Sequence, residues 1–443
     1  MEQPKKWNRV SALIGCMVAN IVSGSINAWG VIGIYLASYY YSKDSSIDES
    51  DMYLAFTLSY ILEPLCFIVA SYLCEIIGCK FTAYIGTILG CIILFASSFT
   101  TNPYLFSILY GLAEAIISGM IDMPVIWACW PYFPNKTGLV TSIGFSGYSL
   151  GPTIFGLIWT MMVNPNNKSP HSKHNGNSSS SYFGHEVYNK VPATIRWICL
   201  IYLIMQLAGT SMITSHDKTK KGSDGIKLEK RSLKLKDILK QSLFWKLSLN
   251  FYFFVAPYAF LFTNYKSIGL TKHKNDHLFS YLGSIGFVTS CISRIFWGIL
   301  VDKYGWKRVT IVSGAIQFFV YCSIYFTLTE EYLFCACVIF AFSFGSGTYL
   351  ILTIGTSLLY PKDPWVVSYA VIGVALNVVT IYFVQLFITP IIGYKTLFFI
   401  ISGCMIINLL ITYFTPSIYN EISSQTDISL LSIEDNSVSK VKS

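Results

Sequence analysis

Residues 293–308 read SRIFWGILVDKYGWKR, an apolar span that carries one arginine and closes in a charged turn. An arginine at the centre of a membrane helix costs roughly 2.5–3.5 kcal/mol on insertion scales, so Arg294 is expected to face a partner, a wet cavity or an anionic ligand rather than lipid. The turn that follows has a twin. Gly298, Leu300, Asp302, Gly305 and Lys307 repeat the spacing of Ser71, Leu73, Glu75, Gly78 and Lys80, 227 positions earlier, and Pro361 follows Pro134 by the same interval. Phe67 stands where the first copy would need its arginine. The chain therefore divides into two related halves, and the arginine is unique to one of them.

The composition around this stretch fits a membrane solvent. Hydrophobic residues make up 53% of the 443 and charged residues only 12%, with a mean hydropathy of +0.53, which excludes a soluble domain. Runs of about 20 apolar residues, long enough as helices to cross a ~30 Å hydrocarbon layer, recur along the chain. Twelve are predicted, over 10–38, 52–74, 80–99, 104–129, 138–162, 192–214, 243–265, 277–301, 309–328, 332–359, 365–389 and 396–415. The expected fold is an all-α membrane protein whose twelve transmembrane helices form two pseudo-symmetric six-helix bundles, 10–214 and 243–416. Parallel repeats of this kind surround a central substrate path. The first span is too long for a removed signal peptide and lacks a small-residue cleavage site.

Charge sets the orientation. Lys5, Lys6 and Arg9 precede the first span, and 216–240 holds eight Lys and one Arg against four acids. Residues 1–9, the basic linker 215–242 and the tail 417–443 are expected on the cytoplasmic side, with both termini there. Asp44, Asp48, Glu49, Asp51, Glu330 and Glu331 then lie opposite, together with Lys266, Lys272 and Lys274. This explains the net charge of +8 without nucleic acid. The Asn-, Ser- and His-rich segment 164–190, with a sequon at Asn177, and the polar tail are expected to be disordered. The twelve cysteines are scattered without a CxxC and read as small apolar fillers. No GxxxxGK[ST] or HExxH occurs, so neither an ATP-driven pump nor an enzyme is expected, and no catalytic residue, cofactor or metal.

The turn GILVDKYGWKR, residues 298–308, resembles the hallmark GxLxDxxGx[RK][RK] that the major facilitator superfamily carries between helices 2 and 3 and between helices 8 and 9. The first half departs from it with Ser71 for Gly and Glu75 for Asp. The resemblance implies a gating role, stabilising one end state of alternating access, for Ser71, Glu75, Gly78 and Lys80 and for Gly298, Asp302, Gly305, Lys307 and Arg308. GSINAWGVIGIYL (24–36), YFPNKTGLVTSIGFSGYSLGPTIFG (132–156) with VNPNN (163–167), and SRIFWGILVDKYG are similar to the oxalate:formate antiporter and monocarboxylate transporter-like branch. Gly147, Gly151, Pro152 and Gly156 approximate that superfamily's helix-5 motif GxxxGPxxGG, with a different last spacing. Small residues four apart favour close helix packing in lipid.

In the branch, the helix-8 arginine four residues before the motif glycine takes the substrate carboxylate, which implies that role for Arg294. Its planar five-donor fork suits a carboxylate. Dicarboxylate exchangers of the branch carry a second cation in helix 11, whereas residues 365–387 contain no Lys or Arg. Vertebrate-type monocarboxylate carriers have a helix-1 lysine and an aspartate four before the arginine; here helix 1 has no internal cation and Ser290 takes the second place. One cation suggests one carboxylate, such as pyruvate or lactate. Glu63, Glu114 and Asp122 are the acids inside spans and the candidates for proton coupling, Glu114 and Asp122, eight apart with Ser118 between, falling on roughly one helical face. Asn27, Trp29, Tyr148, Tyr258 and Asn377 complete the expected substrate contacts. The leading expectation is a monomeric secondary carrier of a small organic anion, using protons, in a plasma or organelle membrane. An amino-acid or drug-like cation carrier and a non-transporting receptor are the alternatives.

Overall fold

The computed structural model describes residues 6–47, 49–133, 136–168, 170–175, 178–213, 233–270, 272–273, 276–361 and 363–417. Asn177, most of the basic linker and the tail beyond 417 lie outside them.

Among the described residues twelve helical spans follow one another. Helix 1 runs Lys6–Ser23, passes through a 3-10 turn at Gly24–Ala28 and resumes at Trp29–Tyr41. Helices 2 and 3 are Glu49–Ile76 and Cys79–Ser97. Helix 4 is Pro103–Gly119 followed by Asp122–Cys129, helix 5 is Thr137–Val163 and helix 6 is Val191–Met212. Helices 7, 8 and 9 are Ser242–Leu270, Asp276–Tyr304 and Trp306–Thr327. Helix 10 is Glu331–Gly345 and Gly347–Leu359. Helix 11 is Val366–Ala370 and Ile372–Phe383, ending in a π turn, and helix 12 is Thr389–Tyr413. Among the described residues ten of these are apolar and long enough to cross a membrane unaided; helices 5 and 7 fall short. Their Gly, Ser, Asn and Thr content explains it, and both are largely covered by neighbouring helices.

One expectation changes outside the membrane. The segment 164–190 holds a two-stranded antiparallel hairpin, β1 (His171–Asn175) and β2 (Ser178–Tyr182), and a short helix at His185–Tyr188. Its anchors lie at the edge that composition alone hides: Tyr182 stacks on Tyr41 at 3.9 Å, and the Phe183 N–H donates to Ser38 Oγ at 3.0 Å.

The two halves meet where helix 5 packs along helix 8 and helix 2 along helix 11. The repeated turns organise the end where helix 1 begins and helix 12 finishes. Gly78 (φ 92°, ψ 154°) and Gly305 (φ 81°, ψ 150°) each precede the first residue of the next helix, in a region of backbone space essentially restricted to glycine. Each turn's lysine then caps the last helix of its own half: Lys80 Nζ donates to the Ser211 carbonyl at 3.3 Å, and Lys307 Nζ to those of Tyr413 and Thr415 at 2.8 and 2.7 Å. A cation there satisfies orphan carbonyls and complements the helix dipole. Arg308 is exposed and makes no such bond among the described residues.

The carboxylate of the second turn reaches across the halves. Asp302 accepts the Gly138 N–H at 2.8 Å and the Leu139 N–H at 2.9 Å, capping the start of helix 5 with a negative charge. The approach is close because a Cβ on Gly298 would stand 2.5 Å from the Gly138 carbonyl oxygen. On the other seam Tyr369 Oη donates to Tyr72 Oη at 3.2 Å. Deeper, the Phe145 and Tyr349 rings meet edge to face at 5.2 Å. This end of the molecule is shut.

Replacing Gly305 with Ala should cost about 1–3 kcal/mol, read as a lower melting temperature of the purified protein; an unchanged melt would refute the strain. Asp302→Asn keeps one acceptor and loses the charge, forfeiting about 1.5–3 kcal/mol. Spin labels on the ends of helices 5 and 8 should then report a larger fraction of long distances, and an unaltered distribution would remove Asp302 from the closure.

Candidate functional site

A cavity of about 150 Å³ lies between the halves, above the closed end. A single water needs roughly 10–15 Å³ by this measure, so a solute of several heavy atoms fits. It is lined by helices 1, 2, 4, 5, 7, 8, 10 and 11, and its wall is strongly aromatic, with Phe56, Tyr60, Phe145, Tyr148, Tyr258 and Tyr349 among the rings.

Arg294 enters it from helix 8 and is 8% exposed. One terminal nitrogen donates to the Phe145 carbonyl on helix 5 at 2.5 Å, and the guanidinium carbon sits 5.9 and 5.7 Å from the Phe145 and Tyr148 ring centres. These contacts hold the charge by a carbonyl dipole and two π faces. Its Nε has no hydrogen-bond partner, and among the described residues no carboxylate forms an ion pair with it. A buried cation left this way is provided for less completely than burial demands. The charge is therefore available to an anion. Ser290, one turn earlier, donates to the Phe342 carbonyl at 3.3 Å and serves the packing of helix 8 on helix 10.

Two acids share the cavity with the arginine. Glu63 lines it from helix 2, just before Pro64, and Asp122 from helix 4, 2% exposed with Oδ1 unpartnered. The third acid is elsewhere. Helix 4 does not run straight through to Cys129: Pro124 has no N–H to offer the Met120 carbonyl, and the helix breaks at Met120–Ile121. The break separates the acids expected on one face. Asp122 opens the second segment and lines the cavity, whereas Glu114 is buried inside the first half, with neither carboxyl oxygen hydrogen-bonded. Helix 10 breaks at Ser346, 226 positions after Met120, so the helix interruptions follow the repeat to within a residue.

The other expected contacts also divide. Asn27 lines the cavity at the helix-1 break, where its amide donates to the Gly24 carbonyl at 3.2 Å and accepts from Tyr60 Oη at 2.5 Å. Tyr148 and Tyr258 line it as well. Trp29 does not: it packs between Phe56 and Tyr110, with ring centres at 6.1 and 5.8 Å, because the 3-10 turn at 24–28 rotates it away. Asn377 does not either; its amide donates to the Tyr252 carbonyl at 3.1 Å and ties helix 11 to helix 7. Gly147 and Gly151 are packing residues, each pressed on the backbone of helix 1.

Sequence reasoning missed Tyr60, Phe145, Ser346 and Tyr349. The repeat held part of the signal. Carrying Asp122 forward 227 positions gives Tyr349, carrying Arg294 back gives Phe67, and Tyr60 pairs with Phe287; all six line the cavity.

Comparisons with known proteins agree with this architecture. The Major Facilitator Superfamily profile matches residues 18–382. Monocarboxylate transporter 10 of Mus musculus is 22% identical over 374 residues, 81% of this chain and 68% of that protein. Apicoplast pyruvate carrier 1 of Toxoplasma gondii is 17% identical over 381 residues, 69% of each chain. The crystal structure of the E. coli fucose:proton symporter matches with a TM-score of 0.68 at 12% identity, covering 93% of this chain and 100% of the other. A proton:xylose symporter bound to 6-bromo-6-deoxy-D-glucose gives 0.65 at 13%, covering 92% and 96%. At these identities the structural likeness speaks for the fold. With a profile spanning both halves and an aromatic-walled cavity between two helical bundles, the chain belongs to the Major Facilitator Superfamily and is a multi-pass membrane transporter.

Proposed function

We propose that this transporter carries a small monocarboxylate, of the size of pyruvate or lactate, by alternating access. The observation that carries the reading is Arg294: the cation lining the central cavity, free of any carboxylate partner among the described residues and with an unpartnered Nε. A planar guanidinium offers two parallel donors to one carboxylate, and burial strengthens the attraction. Helix 11 adds no cation to the cavity wall, which disfavours a second carboxylate on the solute. The names of two relatives, a monocarboxylate transporter and a pyruvate carrier, support the same class. With basic residues such as Lys80, Lys307 and Arg308 at the closed end, the positive-inside rule makes that end cytoplasmic.

Proton coupling falls to the two acids of the cavity rather than to Glu114. Asp122 is the better placed, since it is nearly sealed from water with an unpartnered oxygen while facing the same space as Arg294. A second reading has one observation behind it. Two carboxyls and one arginine around one cavity also suit an amino acid, its carboxylate on Arg294 and its ammonium on Glu63 or Asp122.

Uptake of labelled pyruvate, lactate, oxalate and neutral amino acids into proteoliposomes, with and without a pH gradient, separates these readings. Pyruvate or lactate should enter and oxalate should not, and Arg294→Lys should lower uptake at least about tenfold because the bidentate fork is lost. Monocarboxylate uptake indifferent to that change would sink the assigned site, and preference for amino acids would promote the second reading. Asp122→Asn should abolish accumulation driven by a pH gradient and leave exchange in place, while Glu114→Gln should spare both. Loss of coupling in Glu114→Gln alone would reverse the assignment.

A further inference from the structure

Helices 3 and 6 carry a second opening on the outer flank of the first half, a groove of about 800 Å³ that shares no lining residue with the central cavity. Its walls are aliphatic and aromatic, Ile88, Ile92 and Phe95 from helix 3 and Leu200, Leu203 and Leu207 from helix 6. The floor is sealed by Cys91 and Cys199, each thiol donating to the other's carbonyl, at 3.8 and 3.1 Å. On helix 6 the groove runs from Ala193 to Leu207, and the part from Arg196 to Leu207 spans eleven helical residues, about 16 Å at 1.5 Å per residue. That is about half of a ~30 Å hydrocarbon core, the depth of one leaflet.

The end of the groove is charged. Arg196 stands five residues into helix 6, beside the exposed Trp197, where an aromatic side chain marks the boundary between lipid tails and headgroups. Its Nε donates to Ser98 Oγ at 3.2 Å, and its guanidinium lies 4.5 Å from the centre of the Phe99 ring. Both partners come from the end of helix 3, so the fork is fixed in place from one side. Its two terminal nitrogens have no hydrogen-bond partner and no acid among the described residues.

We infer that this groove holds an acyl chain of one glycerophospholipid whose phosphate is bound by Arg196. The walls offer nothing polar to a water-soluble ligand, the length matches one leaflet, and a pre-oriented guanidinium pairs with a phosphate diester at the level where lipid phosphates lie. A neutral glyceride would fill the walls and leave the arginine unserved.

Photoactivatable phosphatidylglycerol and diacylglycerol with the same acyl chains, cross-linked to the protein in nanodiscs and mapped by mass spectrometry, provide the test. Phosphatidylglycerol adducts should concentrate on Leu200, Leu203 and their neighbours, and diacylglycerol should label this groove no more than other lipid-facing surface. Arg196→Gln should reduce the adducts at least about tenfold, the loss of a charge-assisted pair. Leu203→Trp, which fills the groove without altering the arginine, should remove them too, and millimolar inorganic phosphate should not compete. Adducts spread evenly over the exposed apolar surface of the unmodified protein would overturn the inference. So would undiminished labelling in Arg196→Gln, or equal labelling by diacylglycerol. The first readout uses the unmodified protein, so it decides the matter even where a variant does not fold.

Discussion

Asp302 accepts two backbone N–H groups that begin a helix in the other half of the chain, and the rest of the architecture is arranged around that contact. A helix start exposes donors that need partners. Meeting the need of helix 5 with a carboxylate from helix 8 turns a local requirement into a bond between halves. The two glycines at the crossing let the backbones come close enough, and the glycine-specific turn at Gly305 aims helix 9 so that Lys307 caps helix 12. The seam sealed here is what leaves a cavity above it.

The cavity places unlike chemistry on a symmetric scaffold. Positions related by the 227-residue repeat face one another across it, yet Phe67 answers Arg294 and Tyr349 answers Asp122. The cation belongs to the second half and both acids to the first. A charge kept in a low-dielectric site is expensive unless compensated, and here the compensation is partial, from a carbonyl and two aromatic faces. Symmetry provides the frame; the departures from it provide the chemistry.

Span number, the division into halves and the turn glycines could be read from the chain because they depend on hydropathy over 20 residues and on a spacing repeated twice. The site was harder, since the rotation of each side chain about its helix depends on where the helix is interrupted. Pro124 breaks helix 4 four residues ahead of itself, which separates Glu114 from Asp122. The 3-10 turn at Gly24–Ala28 likewise turns Trp29 into the core while Asn27 stays at the cavity. Asn377 faces helix 7 for a tertiary reason that no local pattern carries. That Arg294 faces the cavity was legible because its insertion cost does not depend on such detail.

Phe145 has two attachments. Its carbonyl accepts one terminal N–H of Arg294, and its ring leans on Tyr349, so one residue of helix 5 is fastened to both helix 8 and helix 10. Any ligand that takes the donor from that carbonyl removes one of the fastenings joining the halves, on the same helix pair that Asp302 clamps nearer the end. Thermodynamic reciprocity then fixes the converse: whatever loosens helix 5 from helix 8 changes the affinity for that ligand by the same factor. For such a ligand, occupancy and opening would be two faces of a single coupling free energy.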